Sequence, residues 1–78
     1  MNERNVLEIL GKNMHDIRYK KNISLQELAK LVKIDIEILK NFEAGEYSGV
    51  SISQYKEIAN ALKVNFEEIT KGIEFVED

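Results

Sequence analysis

The chain contains no cysteine, no proline and no tryptophan, and only four of its 78 residues are glycine. Without cysteine, neither a disulfide framework nor a thiolate metal site contributes to folding. No apolar run exceeds two residues, whereas a membrane-spanning helix needs about 20, so a transmembrane segment is excluded. A chain so poor in helix-breaking residues is expected to be all-α.

The apolar content is sufficient for one small core, since 44% of the residues are hydrophobic. Two independent cores need about twice this length, so residues 1–78 are expected to form a single domain. The first residues lack the basic and apolar stretches of a secretory signal. Together with the absence of cysteine, this predicts a cytoplasmic protein.

Charge is distributed unevenly, although the net charge is only −3. Residues 1–33 hold seven cations and four acids, whereas residues 34–78 hold four cations and ten acids. The densest basic stretch, residues 18–21, reads Arg-Tyr-Lys-Lys. Such a stretch suits nucleic-acid phosphates, and equally a solvated helix end whose dipole the cations complement.

The spacing of apolar and capping residues predicts five helices, at about residues 4–21, 25–32, 36–42, 52–62 and 66–71, followed by a tail at 73–78. Three helix starts carry a capping box, in which Ser or Asn is followed three residues later by Glu or Gln: Ser24–Glu27, Ser51–Gln54 and Asn65–Glu68. Asn22 is placed to end the first helix in the left-handed conformation. The buried face of the second helix is expected to consist of Leu28, Leu31 and Val32.

Two helix corners share a pattern thirty residues apart. Residues 27–39 read ELAKLVKIDIEIL and residues 57–69 read EIANALKVNFEEI. Both predict a helix end, a tight turn and a capped helix start, with an apolar residue (Ile34 or Val64) filling the angle between the helices. Both segments need the same residue types to form a tight helix corner, and this requirement explains the similarity without a shared function.

A longer pattern extends from Leu10 to Thr70. It includes the stretch MHDIRYKKNISLQELAKLVKID at residues 14–35, followed by Ile36, Leu39, Phe42, Glu43 and Gly45, and by Ile58-Ala59-x-x-Leu62-x-Val64. This pattern resembles the phage-repressor-like (Xre/Cro-type) helix-turn-helix family. The resemblance implies a five-helix, all-α DNA-binding domain with its helix-turn-helix at the second and third helices.

The resemblance also implies a function. The expected protein is a sequence-specific regulator of transcription that binds double-stranded DNA, a repressor acting as a homodimer on a short palindromic operator. The expected DNA-binding residues are Lys20, Lys21, Leu25, Gln26, Lys33, Asp35, Ile36, Glu37, Ile38, Lys40 and Asn41. Among them, Asn41 suits adenine, Ile36 suits a thymine methyl group, and Lys20, Lys21 and Lys33 suit phosphates.

The same resemblance implies two structural contacts. Arg18 on the first helix is expected to form an ion pair with Glu43 after the third helix. Family members commonly pair through the last helix and the segment after it, so a dimer contact is expected at Phe66, Ile69, Ile73 and Phe75. Alternatively, the tail folds back over the small core.

The sequence departs from the family at the expected DNA surface. Leu25 replaces a Gln that usually contacts DNA, Lys33 and Lys63 replace turn glycines, and residues 46–51 carry no cation. These departures favour an alternative, a degenerate domain that binds a protein partner through an exposed apolar patch. The patch residues are Leu25, Ile36, Ile38, Tyr47 and Val50. In the competing interpretation Ile38 and Val50 pack inward.

No arrangement of residues indicates an enzyme. His15 is the only histidine, so a transition-metal site lacks ligands, and we expect this side chain to be exposed. The serines are accounted for by helix caps and a loop, and no glycine-rich phosphate loop is present. We therefore expect no catalytic residues and no cofactor.

Overall fold

The structure is a computed structural model that describes residues 3–46 and 49–73. Within these residues it consists of helices and connecting turns without a strand. The helices are α1 (Glu3–Lys20), α2 (Leu25–Val32), α3 (Ile36–Glu43), α4 (Ile52–Ala61) and α5 (Phe66–Ile69). The all-α, five-helix fold predicted from the sequence is confirmed.

The helices begin where side chains satisfy their first backbone amides. At α2, the Ser24 hydroxyl accepts from the Glu27 amide at 3.0 Å, and the Glu27 carboxylate accepts from the Ser24 amide at 3.3 Å. Ser51 and Gln54 form the equivalent pair at α4, with distances of 3.3 and 2.9 Å. The Asp35 carboxylate caps α3 by accepting from the Glu37 amide at 2.8 Å.

In residues 3–46 and 49–73, three helix corners contain a non-glycine residue in the left-handed region. They are Asn22 (φ 59°), Lys33 (φ 55°) and Lys63 (φ 60°). At the first corner, the Ile23 amide donates to the Arg18 carbonyl oxygen at 3.0 Å, as in a Schellman motif. Asn tolerates this conformation, whereas a left-handed lysine costs about 1–2 kcal/mol. At positions 33 and 63, lysine thus adopts the backbone conformation for which the family resemblance implies a glycine.

The core contains the side chains that α1–α5 and the α2–α3 turn direct inward: Leu10, Met14, Leu28, Val32, Ile34, Leu39, Phe42, Ile58, Ala59, Leu62 and Ile69. One sequence prediction is wrong here, because Leu31 is 61% exposed. The buried face of α2 contains Leu28 and Val32, which lie one turn apart, with Leu25 and Ala29 packed beside them. Leu31 lies off this face.

Helices α1 and α3 cross closely at Gly11, which is buried. A Cβ atom on Gly11 would overlap the Phe42 carbonyl oxygen and lie 2.8 Å from the Glu43 carbonyl oxygen. Both obstacles are backbone atoms, so they cannot rotate away as a side chain does. The absence of a side chain at position 11 therefore sets the distance between α1 and the end of α3.

Asn13 connects α1 to the end of α5. Its side-chain amide donates to the carbonyl oxygens of Ile69 at 2.7 Å and Lys71 at 2.8 Å. These carbonyls lie at and beyond the last turn of α5, where backbone acceptors lack partners within the helix. Asn13 thus attaches a helix of only four residues to the longest helix of the protein.

No helix in residues 3–46 and 49–73 combines the length and the apolar character needed to cross a bilayer.

Candidate nucleic-acid interface

Helices α2 and α3 are joined by a turn of residues 33–35, and each of the three residues has a different structural role. Lys33 ends α2 in the left-handed conformation, Ile34 is buried at the corner, and Asp35 caps α3. The turn fixes α3 so that Leu39 and Phe42 enter the core. The opposite face of α3 is consequently presented outward.

The outward face of α3 displays polar side chains. Glu37, Lys40 and Asn41 are exposed, Ile36 is half-buried and Ile38 is 38% exposed. Two charged side chains, one amide and two aliphatic side chains thus lie on the helix that the sequence predicts to enter the major groove. Asn has the donor and acceptor pair that matches adenine there.

The residues predicted beside α3 differ in how far they reach solvent. Gln26, Lys33 and Asp35 are exposed, although the Asp35 carboxylate already accepts the α3 capping bond. Leu25 is half-buried and packs against the core, so only part of its side chain is available to a ligand. Lys20 is exposed at the end of α1, and Lys21 is exposed directly after it.

Charge on the described part of this surface is mixed. The exposed cations predicted to contact DNA are Lys20, Lys21, Lys33 and Lys40. Exposed carboxylates at 35, 37 and 46 lie on α3 and at its two ends. Since duplex affinity depends largely on phosphate neutralisation, this balance predicts weak non-specific binding and a greater dependence on base contacts.

An ion pair between α1 and α3 holds the C-terminal end of α3. Arg18 donates to the Glu43 carboxylate from Nε at 3.0 Å and from Nη2 at 2.6 Å, and from Nη1 to the Ile23 carbonyl oxygen at 3.0 Å. The Arg18 and Glu43 side chains are only 15% and 13% exposed. Burial raises the pKa of the Glu43 carboxyl, but hydrogen bonds from Arg18 and His15 outweigh burial, so the pKa lies below its ordinary value.

His15 joins this ion pair, which sequence reasoning missed. Its Nδ1 lies 2.6 Å from Glu43 Oε1, and its ring stacks on Tyr19 with 5.7 Å between centroids. A partial signal was present, because His15 lies one helical turn before Arg18 and therefore on the same face of α1. In the described residues no group of three or more His, Asp or Glu side chains is placed to hold a metal ion.

The apolar patch of the alternative interpretation is incomplete in the structure. Leu25 and Val50 pack against the core, Ile36 is half-buried, and Tyr47 lies outside the described residues. Only Ile38, at 38%, is exposed. Among the four patch residues that the structure describes, three are thus partly withdrawn from solvent.

The residues predicted for the dimer contact differ in how far they are exposed to solvent. Ile69 is 0% exposed, so it cannot face a second copy while the core is intact, and its inclusion is a mistake. Its position in α5 directs it inward beneath α1 and α4. Phe66 and Ile73 are half-buried, and Phe75 lies outside the described residues.

Comparison with known proteins identifies the class that this geometry defines. The family model described as Helix-turn-helix matches residues 14–69, which is more than half of the chain. The protein therefore belongs to the Helix-turn-helix family, of the Xre/Cro-like type, and the resemblance seen in the sequence is confirmed. Membership of this family supports a DNA-binding regulatory protein.

One solved structure shows the same arrangement. The chain is similar to the crystal structure of a hypothetical transcription factor NHTF from Neisseria, with a TM-score of 0.78 and 24% sequence identity. The match covers 90% of this chain and 79% of that chain. At this identity the similarity shows the fold alone. No curated protein matches the chain.

Proposed function

We propose that this protein is a sequence-specific regulator of transcription that binds double-stranded DNA through α3. The observation that carries the proposal is the outward face of α3, which presents Lys40 and Asn41 while Leu39 and Phe42 fix the helix in the core. In the proposed complex this face enters the major groove, and Asn41 and Ile36 contact base edges.

The lysines around α3 supply the phosphate contacts in this proposal. Lys20 and Lys21 at the end of α1 and Lys33 in the α2–α3 turn are exposed on the elements that surround α3. Each neutralised phosphate steepens the salt dependence of binding by about 0.9 in log–log slope. Glu37 opposes these cations, so replacing it should strengthen binding.

We further propose that the protein represses transcription as a homodimer on a palindromic site with half-sites about one helical turn apart. The half-buried apolar residues after α4, Phe66 and Ile73, are the candidates for the contact between copies. Truncation after Gly72 followed by sedimentation analysis tests this contact. A truncated chain that still forms a dimer would rule out an interface that needs residues 73–78.

Selection of DNA tests the proposed activity directly. A pool of random duplexes of about 30 base pairs is enriched on the protein, and the best sequence is titrated against a scrambled duplex by fluorescence anisotropy across salt concentrations. The expected result is an enriched palindrome with a negative salt slope. Absence of enrichment and of binding near 50 mM salt would refute the proposal.

The two similar helix corners supply a matched control for this experiment. Lys33 and Lys63 have nearly the same left-handed conformation (φ 55° and 60°) and both are exposed, but only Lys33 lies in the α2–α3 turn. Lys33→Gln should weaken binding and reduce the salt slope by about 0.9. Lys63→Gln should leave both quantities unchanged. Equal effects of the two substitutions would show that the α2–α3 turn does not contact phosphates.

A charge reversal on α3 separates the proposal from the partner-binding alternative. Glu37→Lys replaces an exposed carboxylate with a cation on the face that we assign to the major groove. If this face approaches phosphates, duplex binding becomes tighter. Unchanged binding would indicate that α3 does not face DNA.

A further inference from the structure

Tyr19 is the most exposed large hydrophobic side chain in the part of the chain that the structure describes, at 77%. It lies in the last turn of α1, directly before Lys20 and Lys21, which are also exposed. A single exposed aromatic side chain is common on protein surfaces and by itself indicates no ligand. Tyr19 differs from that case because other side chains hold its ring in place.

The ring of Tyr19 is oriented by a series of contacts that leads to α3. It stacks on the His15 ring, with 5.7 Å between the centroids and 26° between the planes. His15 is bonded to Glu43 at the end of α3, where Nδ1 lies 2.6 Å from Oε1. Arg18 in turn donates twice to the Glu43 carboxylate. Tyr19 is thus both exposed and oriented, so a ligand that binds this ring loses little affinity to conformational ordering.

These contacts connect Tyr19 to two elements of the proposed DNA surface. On one side, His15 lines a cleft between α1 and α3 together with Leu25 and Lys40, which both belong to the set predicted to contact DNA. On the other side, Tyr19 lines a cleft of about 500 Å³ at the corner between α1 and α2, which Ser24 at the start of α2 also lines. The stacked pair therefore joins α3 to the start of α2 and to the basic end of α1.

The charge around Tyr19 is mixed, which favours an uncharged donor at this position. Arg18 is neutralised by Glu43, and Glu27 across the corner opposes a phosphate, although its carboxylate already accepts from the Ser24 amide at 3.3 Å. Among the described residues, two carboxylates and two lysines line the cleft between α1 and α3, so its charge alone does not attract an anion. A phenolic hydroxyl donates a hydrogen bond without a charge that these carboxylates can neutralise.

We propose that Tyr19 contacts DNA, with its hydroxyl donating to a backbone phosphate and its ring lying against the adjoining deoxyribose. Tyrosine is among the side chains that bind phosphate and sugar in protein–DNA complexes, where such contacts fix the register of the protein on the duplex. This inference depends on the proposed function, since the phosphate belongs to the duplex held by α3. It adds an oriented aromatic side chain to the lysines predicted at this end of α1.

Tyr19→Phe tests the hydroxyl contact because it removes one oxygen atom and keeps the ring. The affinity for the selected duplex is measured by fluorescence anisotropy at several salt concentrations. We expect binding that is about threefold to tenfold weaker for each bound copy, as for the loss of one hydrogen bond. The salt slope should not change, because an uncharged donor does not neutralise a phosphate, whereas each lysine contact contributes about 0.9.

Tyr55→Phe is the matched control for this measurement. It removes the same atom from a half-buried tyrosine on α4, whose ring packs edge-on against Phe42 in the core. Duplex affinity should be unchanged in this variant. Equal losses of affinity in Tyr55→Phe and Tyr19→Phe would refute a specific contact at Tyr19.

Ethylation interference on the selected duplex locates the contact. An ethyl group on a phosphate that Tyr19 touches prevents binding of the wild-type protein. Tyr19→Ala removes both the ring and the hydroxyl, so ethylation of that phosphate should no longer matter. We expect the variant to lose interference at one phosphate in each half-site and to keep it elsewhere.

The outcomes separate this inference from the proposed function. If Tyr19→Phe binds as tightly as the wild type, if its salt slope falls by about 0.9, or if Tyr19→Ala keeps the full interference pattern, the Tyr19 contact is refuted while DNA binding stands. If the wild-type protein binds no duplex at low salt, the proposed function fails and the inference fails with it. Melting curves show whether each variant is folded, and Tyr19→Phe should melt at the wild-type temperature because Tyr19 is exposed.

Discussion

Replacing Glu43 with Gln should strongly destabilise the protein. The substitution preserves the size of the side chain but removes the negative charge that partners Arg18. The Arg18 side chain is 15% exposed, and its guanidinium donates twice to the Glu43 carboxylate. Removing one partner of a buried ion pair costs about 3–5 kcal/mol, because the remaining charge stays away from water. Since Arg18 keeps some contact with solvent and its bond to the Ile23 carbonyl, we expect about 2–4 kcal/mol.

Thermal unfolding followed by circular dichroism at pH 7 measures this loss. For a domain of this size, 1 kcal/mol corresponds to about 4–8 °C in Tm, so Glu43→Gln should melt roughly 10–25 °C below the wild type. Lys12→Gln is the matched control on α1, because it breaks an ion pair with Asp16 whose side chains are 75% and 53% exposed. Its Tm should not change measurably.

The sign of the pH dependence follows from the pKa of Glu43. Because the folded state lowers this pKa, its contribution to stability is present above the unfolded-state pKa and disappears as the pH falls through the folded-state value. The difference in Tm between wild type and Glu43→Gln should therefore shrink in acid, below about pH 4. A Tm difference of less than about 2 °C at pH 7 would falsify the assignment of a buried, stabilising pair.

Three further substitutions test other parts of the structure by chemical and thermal unfolding. Gly11→Ala should destabilise the protein by about 1–3 kcal/mol despite the better helix propensity of Ala, because its Cβ meets the backbone of α3. Gly49→Ala is its control: Gly49 has φ +74° but no atom within 4 Å of an added Cβ, so only backbone strain is expected. Asn13→Ala should cost about 1–2 kcal/mol by removing two bonds to carbonyl oxygens at the end of α5, and unchanged stability would show that these bonds do not hold α5. Lys63→Gly should gain up to about 1 kcal/mol by relieving the left-handed conformation, and a loss would contradict that account.

Local signals in the sequence predicted the helix starts well. Ser24 and Ser51 cap their helices through partners three residues away. Both partners of each interaction therefore lie within one helical turn of the sequence. The left-handed conformation of Asn22 has the same local origin. The five-helix fold could be predicted because most of its determinants are of this short-range kind, combined with a regular apolar spacing.

The features that sequence reasoning missed depend on partners far along the chain. His15 and Glu43 are 28 positions apart, and Asn13 reaches carbonyl oxygens 56 and 58 positions away. Leu31 and Ile69 were misplaced for a related reason. Periodicity identifies an apolar residue, but the direction from which neighbouring helices approach determines whether it is buried. The contacts of the predicted interface with DNA remain predictions, because they depend on a partner rather than on the chain.

The close crossing at Gly11 bears on how this protein can be recombined with its relatives. Helix α3 touches α1 through backbone atoms at Gly11 and through the bonds that Arg18 and His15 make to Glu43. A graft of residues 24–43 into another helix-turn-helix scaffold would not include Gly11, Arg18 and His15, the α1 residues that make these contacts with α3. The smallest portable unit is therefore α1 together with α2 and α3, and exchanges of α3 sequence that aim to change specificity should vary its outward residues only.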